Sequence, residues 1–475
     1  MTQFRHALLI YPYLREKIHT NFLPPIGLEH IAAAIKPFFR EVTLVDMRFE
    51  SRPVESFFRR DTDFVMLSIN WRSEKEVHRK IIDSLPDGVV KIAGGRYATQ
   101  EVESVFEKCP KLDIIIRGDG EETIRELLRK GCPEGVPRVS FRKNGSVVHN
   151  PNAPIPPVED SLWPDRSLRR QRYTLAPGGF DTGILVDTIA SSRGCPFKCK
   201  FCTFNTNPFG QKRQWSGRSP DSLFEEIKQV RAKIVGFTDD IFTWDMDRVG
   251  GLCERLITAG IKKTYIFNAR MEMYKRPDVL KLMERAGMRV PLIGVESCHD
   301  KTLKAISKGF TVDEVRKAFS VLRRFDFFLH SCFIVGNIGE SRSEMLETAK
   351  FARELGCDGI SVQRLRCEKY SMLRDVVDSD EKYHIRPGEM GIVYSDEYSA
   401  RDLRRIGRKI VKRFYSPRHL LRIGKKMLRF GMATPQAIVC SILFMLERFF
   451  PKRKARIGRR LKRVRRRGPA VGGHL

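Results

Sequence analysis

No apolar run in this chain approaches the ~20 residues needed to cross a bilayer as a helix, so no spanning helix is expected. The opening residues, MTQFRHALLIYPYLREK, lack the basic, apolar and small-residue regions of a secretory signal and read as a first β-strand. Cysteines number 11, an odd count that does not suit a disulfide framework. Together these predict a reducing, cytoplasmic setting. No short-period repeat is present, which excludes a solenoid. Acidic residues are almost missing from one end. From Arg401 to Leu475 there are 24 Lys and Arg against two acids, Asp402 and Glu447. That end carries +22 of the formal net charge of +30, so the basic character belongs to a tail and not to the fold.

What is present is a long alternation of apolar strands and amphipathic helices. Strands are expected at His6–Tyr11, Glu41–Asp46, Asp63–Ile69, Val89–Ala93 and Asp113–Arg117, with helices between them. Wholly apolar strands alternating with helices mean a parallel sheet covered on both faces. Residues 1–135 are therefore expected to form an α/β, Rossmann-like (flavodoxin-like) domain, whose ligands sit at the carboxyl ends of the strands. Residues 136–182, which include NPNAPIPPVEDSLWP, read as a linker. A second series begins at Asp187–Ala190 and runs through six strands to Gly359–Val362. It predicts a (β/α)6 partial TIM barrel over residues 183–385, reactive at the strand tips. Residues 386–450 are expected to be helical, including Arg401–Phe414, Pro417–Phe430 and Thr434–Phe449, and 451–475 form a basic tail.

The densest chemical signal is Ser191-Ser192-Arg193-Gly194-Cys195-Pro-Phe-Lys-Cys199-Lys-Phe201-Cys202, directly after an apolar strand. Three thiolates within eight residues can wrap one face of a [4Fe–4S] cluster, which usually takes four cysteines. Thr203 follows, so no fourth thiolate is offered and one iron stays open. A zinc ribbon would want a second CxxC pair, which is missing.

At these residues the chain resembles the radical S-adenosylmethionine (SAM) superfamily. The resemblance implies that the open iron binds the amino and carboxylate groups of SAM. One electron then yields methionine and a 5′-deoxyadenosyl radical, which takes a hydrogen atom from the substrate. It implies a backbone contact from Phe201 to adenine. It also implies an electron donor such as flavodoxin or ferredoxin. Asp239 and Asp240, at a strand tip, are candidate SAM contacts, with a helix cap or a solvated loop as the plain alternative. Glu296, after the run Val290–Val295, is a candidate for the ribose or methionine moiety, with a rim salt bridge as its alternative. Gly336 and Glu340 lie in a turn resembling the one that packs on adenine. Arg218-Ser219-Pro220 resembles the opening of the first barrel helix. Arg270 is a candidate carboxylate partner.

The order of Rossmann-like domain, linker and barrel resembles the cobalamin-binding branch of that superfamily. The pieces that carry it are Pro24-Pro25-Ile-Gly27-Leu28, Ser68, Gly94-Gly95 and Gly118-Asp119-Gly120-Glu121, all at strand ends or helix starts. The resemblance places cobalamin against Ser68, Gly94, Gly95, Gly118 and Gly120, with Trp71 near its lower face. The DxHxxG motif that supplies a histidine to cobalt is absent after the first strand. His30 reads as a core or surface histidine. A tRNA methylthiotransferase would carry a second cysteine triad, and this domain has only Cys109 and Cys132.

The function this implies is cobalamin-dependent methylation of an unactivated carbon on an apolar small molecule, such as a lipid or tetrapyrrole. Oxidative cyclisation or rearrangement without methyl transfer is the alternative. A non-catalytic Fe–S redox sensor or RNA-binding protein is the reading from another class. The apolar Ala437–Phe450 between basic segments suits an anionic membrane surface better than nucleic acid.

Overall fold

The computed structural model describes residues 4–13, 23–70, 75–160, 162–176, 181–206, 210–386, 391–431 and 439. Trp71, the expected helix Thr434–Phe449 (apart from Val439) and the basic tail lie outside the described residues.

The first unit is built on strands β1 (Phe4–Tyr11), β2 (Phe39–Asp46), β3 (Thr62–Ser68), β4 (Val90–Gly94) and β5 (Ile114–Ile116). Around them pack helices α1 (Ile26–Ile35), α2 (Lys75–Ser84), α3 (Arg96–Gln100), α4 (Val102–Lys108) and α5 (Glu121–Lys130). The strands pair in parallel in the order β2-β1-β3-β4-β5. Ala7, Leu8, Leu9 and Ile10 are all fully buried, which is why this strand reads as an unbroken apolar run. The doubly wound order confirms the flavodoxin-like expectation.

The stretch read as a linker is a correction. Its first part carries β6 (Val139–Lys143) and β7 (Ser146–His149), which extend the same sheet antiparallel beyond β5. Val139 and Phe141 bury their side chains in the core while Arg142 and Lys143 do not. Asn144 and Gly145 join the strands with φ of 51° and 80°, a two-residue turn of the kind that Asn-Gly favours. The remainder of the stretch ties the two units together. Arg169 donates to Glu29 of α1 at 2.7 Å and to Asp187 of the barrel at 2.8 Å.

The second unit contains β8 (Val186–Ile189), a short antiparallel pair β9 (Ser192–Arg193) and β10 (Ser216–Gly217), α6 (Pro220–Gln229), β11 (Ile234–Phe237), α7 (Met246–Thr258), β12 (Thr264–Ala269), α8 (Pro277–Ala286) and β13 (Met288–Glu296). It continues with α9 (Asp300–Ala305), α10 (Val312–Leu322), β14 (His330–Val335), α11 (Arg342–Glu354), β15 (Gly359–Arg364) and α12 (Leu373–Asp378). A hairpin of β16 (Tyr383–Ile385) and β17 (Val393–Ser395) follows, then α13 (Ala400–Phe414) and α14 (Pro417–Arg429). Six parallel strands run β8-β11-β12-β13-β14-β15 and do not close, which is the expected (β/α)6 partial barrel. Helix α13 lies along the β15 edge. It sends Leu403, Ile406, Ile410 and Phe414 into the main core.

Candidate active site

The cysteine loop leaves β8 at the carboxyl end of the barrel. Two carboxylates at the tip of β11 hold its first residues. Asp239 accepts from the amides of Ser191 at 2.7 Å and Ser192 at 3.0 Å, and from the Ser191 hydroxyl. Asp240 accepts from the Gly194 amide at 2.8 Å. Burial raises the pKa of both, that of Asp240 to about 6. The structure therefore spends these carboxylates, expected at SAM, on bracing the cysteine loop. Gly194 has φ of 87°, and a Cβ there would stand 2.7 Å from the Gln214 carbonyl, so only glycine starts this turn.

Cys199 is buried, and Cys195 and Cys202 are partly so. Burial pushes the Cys195 thiol up and that of Cys202 to about 12, so both keep their protons until a metal displaces them. Arg270 lies 3.9 Å from the Cys199 sulfur and 3.6 Å over the Phe197 ring, and it pairs with Glu272 at 2.6 Å. Among the described residues, no three His, Cys, Asp or Glu side chains close on a single metal ion. Three thiols spread along one loop suit a cluster in which each holds its own iron.

Glu296 ends β13 at φ of 72°, an uncommon conformation for a residue with a side chain. Its carboxylate folds back over Gly294, where a Cβ would stand 2.4 Å from it, and receives the buried Lys308 ammonium at 2.9 Å. The residue does sit inside the barrel, but its partner is a lysine.

Gly336 and Glu340 depart from their expected setting. The Glu340 carboxylate accepts from the amides of Gly336 at 2.9 Å and Asn337 at 3.0 Å, closing its own turn. Burial lifts its pKa to about 7. Gly336, at φ of 77°, makes room for Leu403 of α13, 2.7 Å from where a Cβ would be. Gly336 and Glu340 line a small cavity of about 140 Å³, whose wall includes Leu403 of that helix. Phe201 likewise packs against an apolar cluster with Leu365 and Leu373. Arg218 is buried and pairs with Glu226, and Ser219 caps α6, as the opening of a first barrel helix requires.

In the first unit, the carboxyl ends of β1, β3, β4 and β5 enclose a cleft of about 400 Å³. Ser68, Gly94, Gly95, Gly118 and Gly120 all line it. Gly95 has φ of 100°, and a Cβ would meet the Asn70 side chain at 2.6 Å and the Ile69 carbonyl at 2.8 Å. Gly120 instead lets Ile31 of α1 approach, 3.0 Å from its missing Cβ. His30 is a core histidine, as read: burial lowers its pKa to about 4.

The two units meet between these sites. Arg193, two residues before Cys195, lines the cleft of the first unit. Its guanidinium lies 3.0 Å from Asp119 and 2.5 Å from Glu121, at the start of α5. Arg213 donates to Asp119 at 3.1 Å. Burial opposes the charges on Asp119 and Glu121, but the arginines outweigh it and hold both carboxyls below the usual range. On the far side of the triad, Arg96 of α3 donates to Thr203 at 2.7 Å and pairs with Glu368. Sequence reasoning missed Arg193, Arg213, Arg96, Glu368 and Lys308 as site residues. The Gly-Asp-Gly-Glu run at 118–121 marks a strand-to-helix turn, but nothing in it names its partners.

Family models match both units: the B12 binding domain over residues 20–128 and the radical SAM superfamily over residues 189–352. The chain thus carries a B12 binding domain followed by a radical SAM domain. An uncharacterized methyltransferase of Pyrococcus horikoshii is 28% identical over 353 residues, covering 70% of this chain and 74% of its own. The anaerobic magnesium-protoporphyrin IX monomethyl ester cyclase of Cereibacter sphaeroides is 28% identical over 58% of this chain, which spans only 46% of that protein. The fold is shared with TsrM from Kitasatospora setae, a radical SAM methyltransferase solved with cobalamin and a [4Fe–4S] cluster. Its TM-score is 0.65 at 15% identity, covering 88% of this chain and 82% of that one.

The residues fit the groups these families imply. Cys195, Cys199 and Cys202 would hold the cluster from a loop whose conformation is fixed at Ser191, Ser192 and Gly194. The glycine-lined cleft, with no side chain at Gly94, Gly95 or Gly118, would take a broad flat corrin against bare backbone.

Proposed function

We propose that this protein methylates an unactivated carbon of an apolar substrate, of the lipid or tetrapyrrole class, by cobalamin-dependent radical chemistry. When bound, the cluster with SAM supplies a carbon-centred radical, and cobalamin supplies the methyl group. The observation that carries this reading is Arg193. It belongs at once to the cysteine loop and to the lining of the corrinoid cleft, so the two reactive centres share one wall.

The chain's own residues have separable tasks. Asp239 and Asp240 hold the amides of the cysteine loop. Arg270 places its guanidinium 3.9 Å from the Cys199 sulfur. Asp119 and Glu121, paired with Arg193 and Arg213, fix the distance between cleft and loop. Phe204, Trp244, Tyr370 and Met372 are each 40–47% exposed, and all follow carboxyl ends of barrel strands or the cysteine loop. An open apolar rim at the mouth supports a bulky apolar substrate. The similarity to the tetrapyrrole cyclase favours a second reading, ring oxidation without methyl transfer.

Anaerobic reconstitution with iron, sulfide and hydroxocobalamin tests the proposal. The expected product has about four irons and one cobalt per chain, and with SAM and reductant it forms 5′-deoxyadenosine. S-adenosylhomocysteine formed alongside it supports methylation. 5′-Deoxyadenosine without S-adenosylhomocysteine, on a substrate that is turned over, moves the reading to the cyclase class. Iron without cobalt sinks both readings.

A further inference from the structure

Helix α14 lies at the end of the barrel opposite the active site. Its Lys426 pairs with Asp358, just before β15, at 2.6 Å, and His419 donates to the Asp358 carbonyl at 2.9 Å. Arg429 pairs with Asp326, ahead of β14, and the Gly431 carbonyl accepts from Lys233, ahead of β11, at 2.8 Å. Phe430 packs with Ile184, Val186 and Ile234 at the amino ends of the strands. The helix is thus a strap across the barrel base.

Its outer face is unlike the rest of the surface. Leu421 is 69% exposed and Leu428 58%, and a seven-residue spacing puts both on one helix face. Beside them opens a hollow of about 450 Å³. Arg323, Arg422, Lys425 and Lys426 line it over a floor of Phe325 and Phe327. Its one carboxylate, Asp358, is taken up by Lys426, with Arg422 at 3.8 Å. Among the described residues, Arg323 and Lys425 carry no ion pair. In sequence, Gly431 is followed by MATPQAIVCSILFMLERFF and then a tail holding 11 Lys and Arg and no acid.

We propose that the barrel base is a docking surface for an anionic phospholipid membrane. The cationic hollow receives phosphate headgroups while Leu421 and Leu428 enter the interfacial layer. Charge complementarity selects the anionic partner, and outward aliphatic side chains select a bilayer. A nucleic-acid surface would offer aromatic platforms for bases, and the exposed large apolar residues of α14 are both leucine. Docked this way, the barrel mouth faces away from the bilayer. The surface then fixes where the enzyme works and does not feed its site.

The test is flotation of the full-length reconstituted protein with phosphatidylcholine vesicles, with and without phosphatidylglycerol, at low and high salt. Binding is expected only with phosphatidylglycerol and is expected to fall with salt. Two double variants probe the face: Arg323→Glu with Lys425→Glu, and Leu421→Asp with Leu428→Asp. All four side chains are exposed, so melting temperature and 5′-deoxyadenosine formation should not change. The charge variant is expected to weaken binding at least about tenfold, from the loss of two surface cations. The leucine variant should lower it on the order of tenfold. Wild-type binding by both variants would overturn the proposal and leave any membrane affinity to the tail. Equal binding to neutral vesicles would overturn it too. So would binding to an RNA homopolymer that anionic vesicles fail to displace.

Discussion

Arg193 and Asp119 are 74 positions apart in the chain and 3.0 Å apart in space, one on the cysteine loop and the other lining the glycine-rich cleft of the first unit. Replacing Arg193 with Met leaves Asp119 and Glu121 facing the interface with only Arg213 in reach. A quarter of the Arg193 side chain is exposed, so breaking this partly buried pair from one side costs about 1–3 kcal/mol. Urea unfolding of Arg193→Met should show a loss of that order. The surviving fraction should form 5′-deoxyadenosine with less S-adenosylhomocysteine, since the two centres are no longer held in register. A variant as stable and as coupled as wild type would dismiss the bridge.

Gly95→Ala tests the cleft. At φ of 100°, with the Ile69 carbonyl 2.8 Å from the new Cβ, the chain must shift where the corrin would lie. A loss of about 1–3 kcal/mol is expected, with weaker binding of hydroxocobalamin by visible absorbance. Iron content should stay near wild type, because the cysteine loop is untouched.

Asp239→Asn separates bracing from SAM recognition. The amide oxygen can still take both backbone donors, but the charge is lost and the Ser191 hydroxyl must reverse to accept from the new N–H. The expected result is a stability loss of about 1–3 kcal/mol and poor iron retention after reconstitution. Full iron content with a raised requirement for SAM would restore the direct contact.

Glu296→Gln strips the Lys308 ammonium of its buried partner. Thermal unfolding should show a loss of about 3 kcal/mol or more. The double variant with Lys308→Met should recover much of it, because no unpaired charge then remains inside the barrel.

Glu340 supplies a pH signature. Its folded pKa, near 7, lies above the ordinary carboxyl value of 4.5. The folded state therefore binds its proton more tightly, and stability falls as pH rises from about 4.5 to 7 and is level beyond. Glu340→Gln removes that dependence. Its stability relative to wild type should rise across the same window, by on the order of 1–3 kcal/mol. Parallel unfolding curves at pH 5 and pH 8 would contradict the assignment.

The cysteine triad and the alternation of strand and helix were legible in the sequence because both are local. Ligands within eight residues share a loop whatever the rest of the chain does, and a buried parallel strand must be apolar throughout. One local signal was passed over: Asn144-Gly145 marked the hairpin that prolongs the first sheet into the presumed linker. Which carboxylate meets which cation could not be read in the same way. Asp239, Asp240, Glu296 and Glu340 all stand at strand tips, as a binding role would require. Only the fold shows that three backbone turns and a lysine already occupy them. The sequence by itself determined two α/β halves and a three-cysteine loop suited to a cluster. The tertiary structure decided how the halves face each other, because ion pairs such as Arg193–Asp119 and Arg96–Glu368 depend on a meeting of surfaces that no periodicity along the chain encodes.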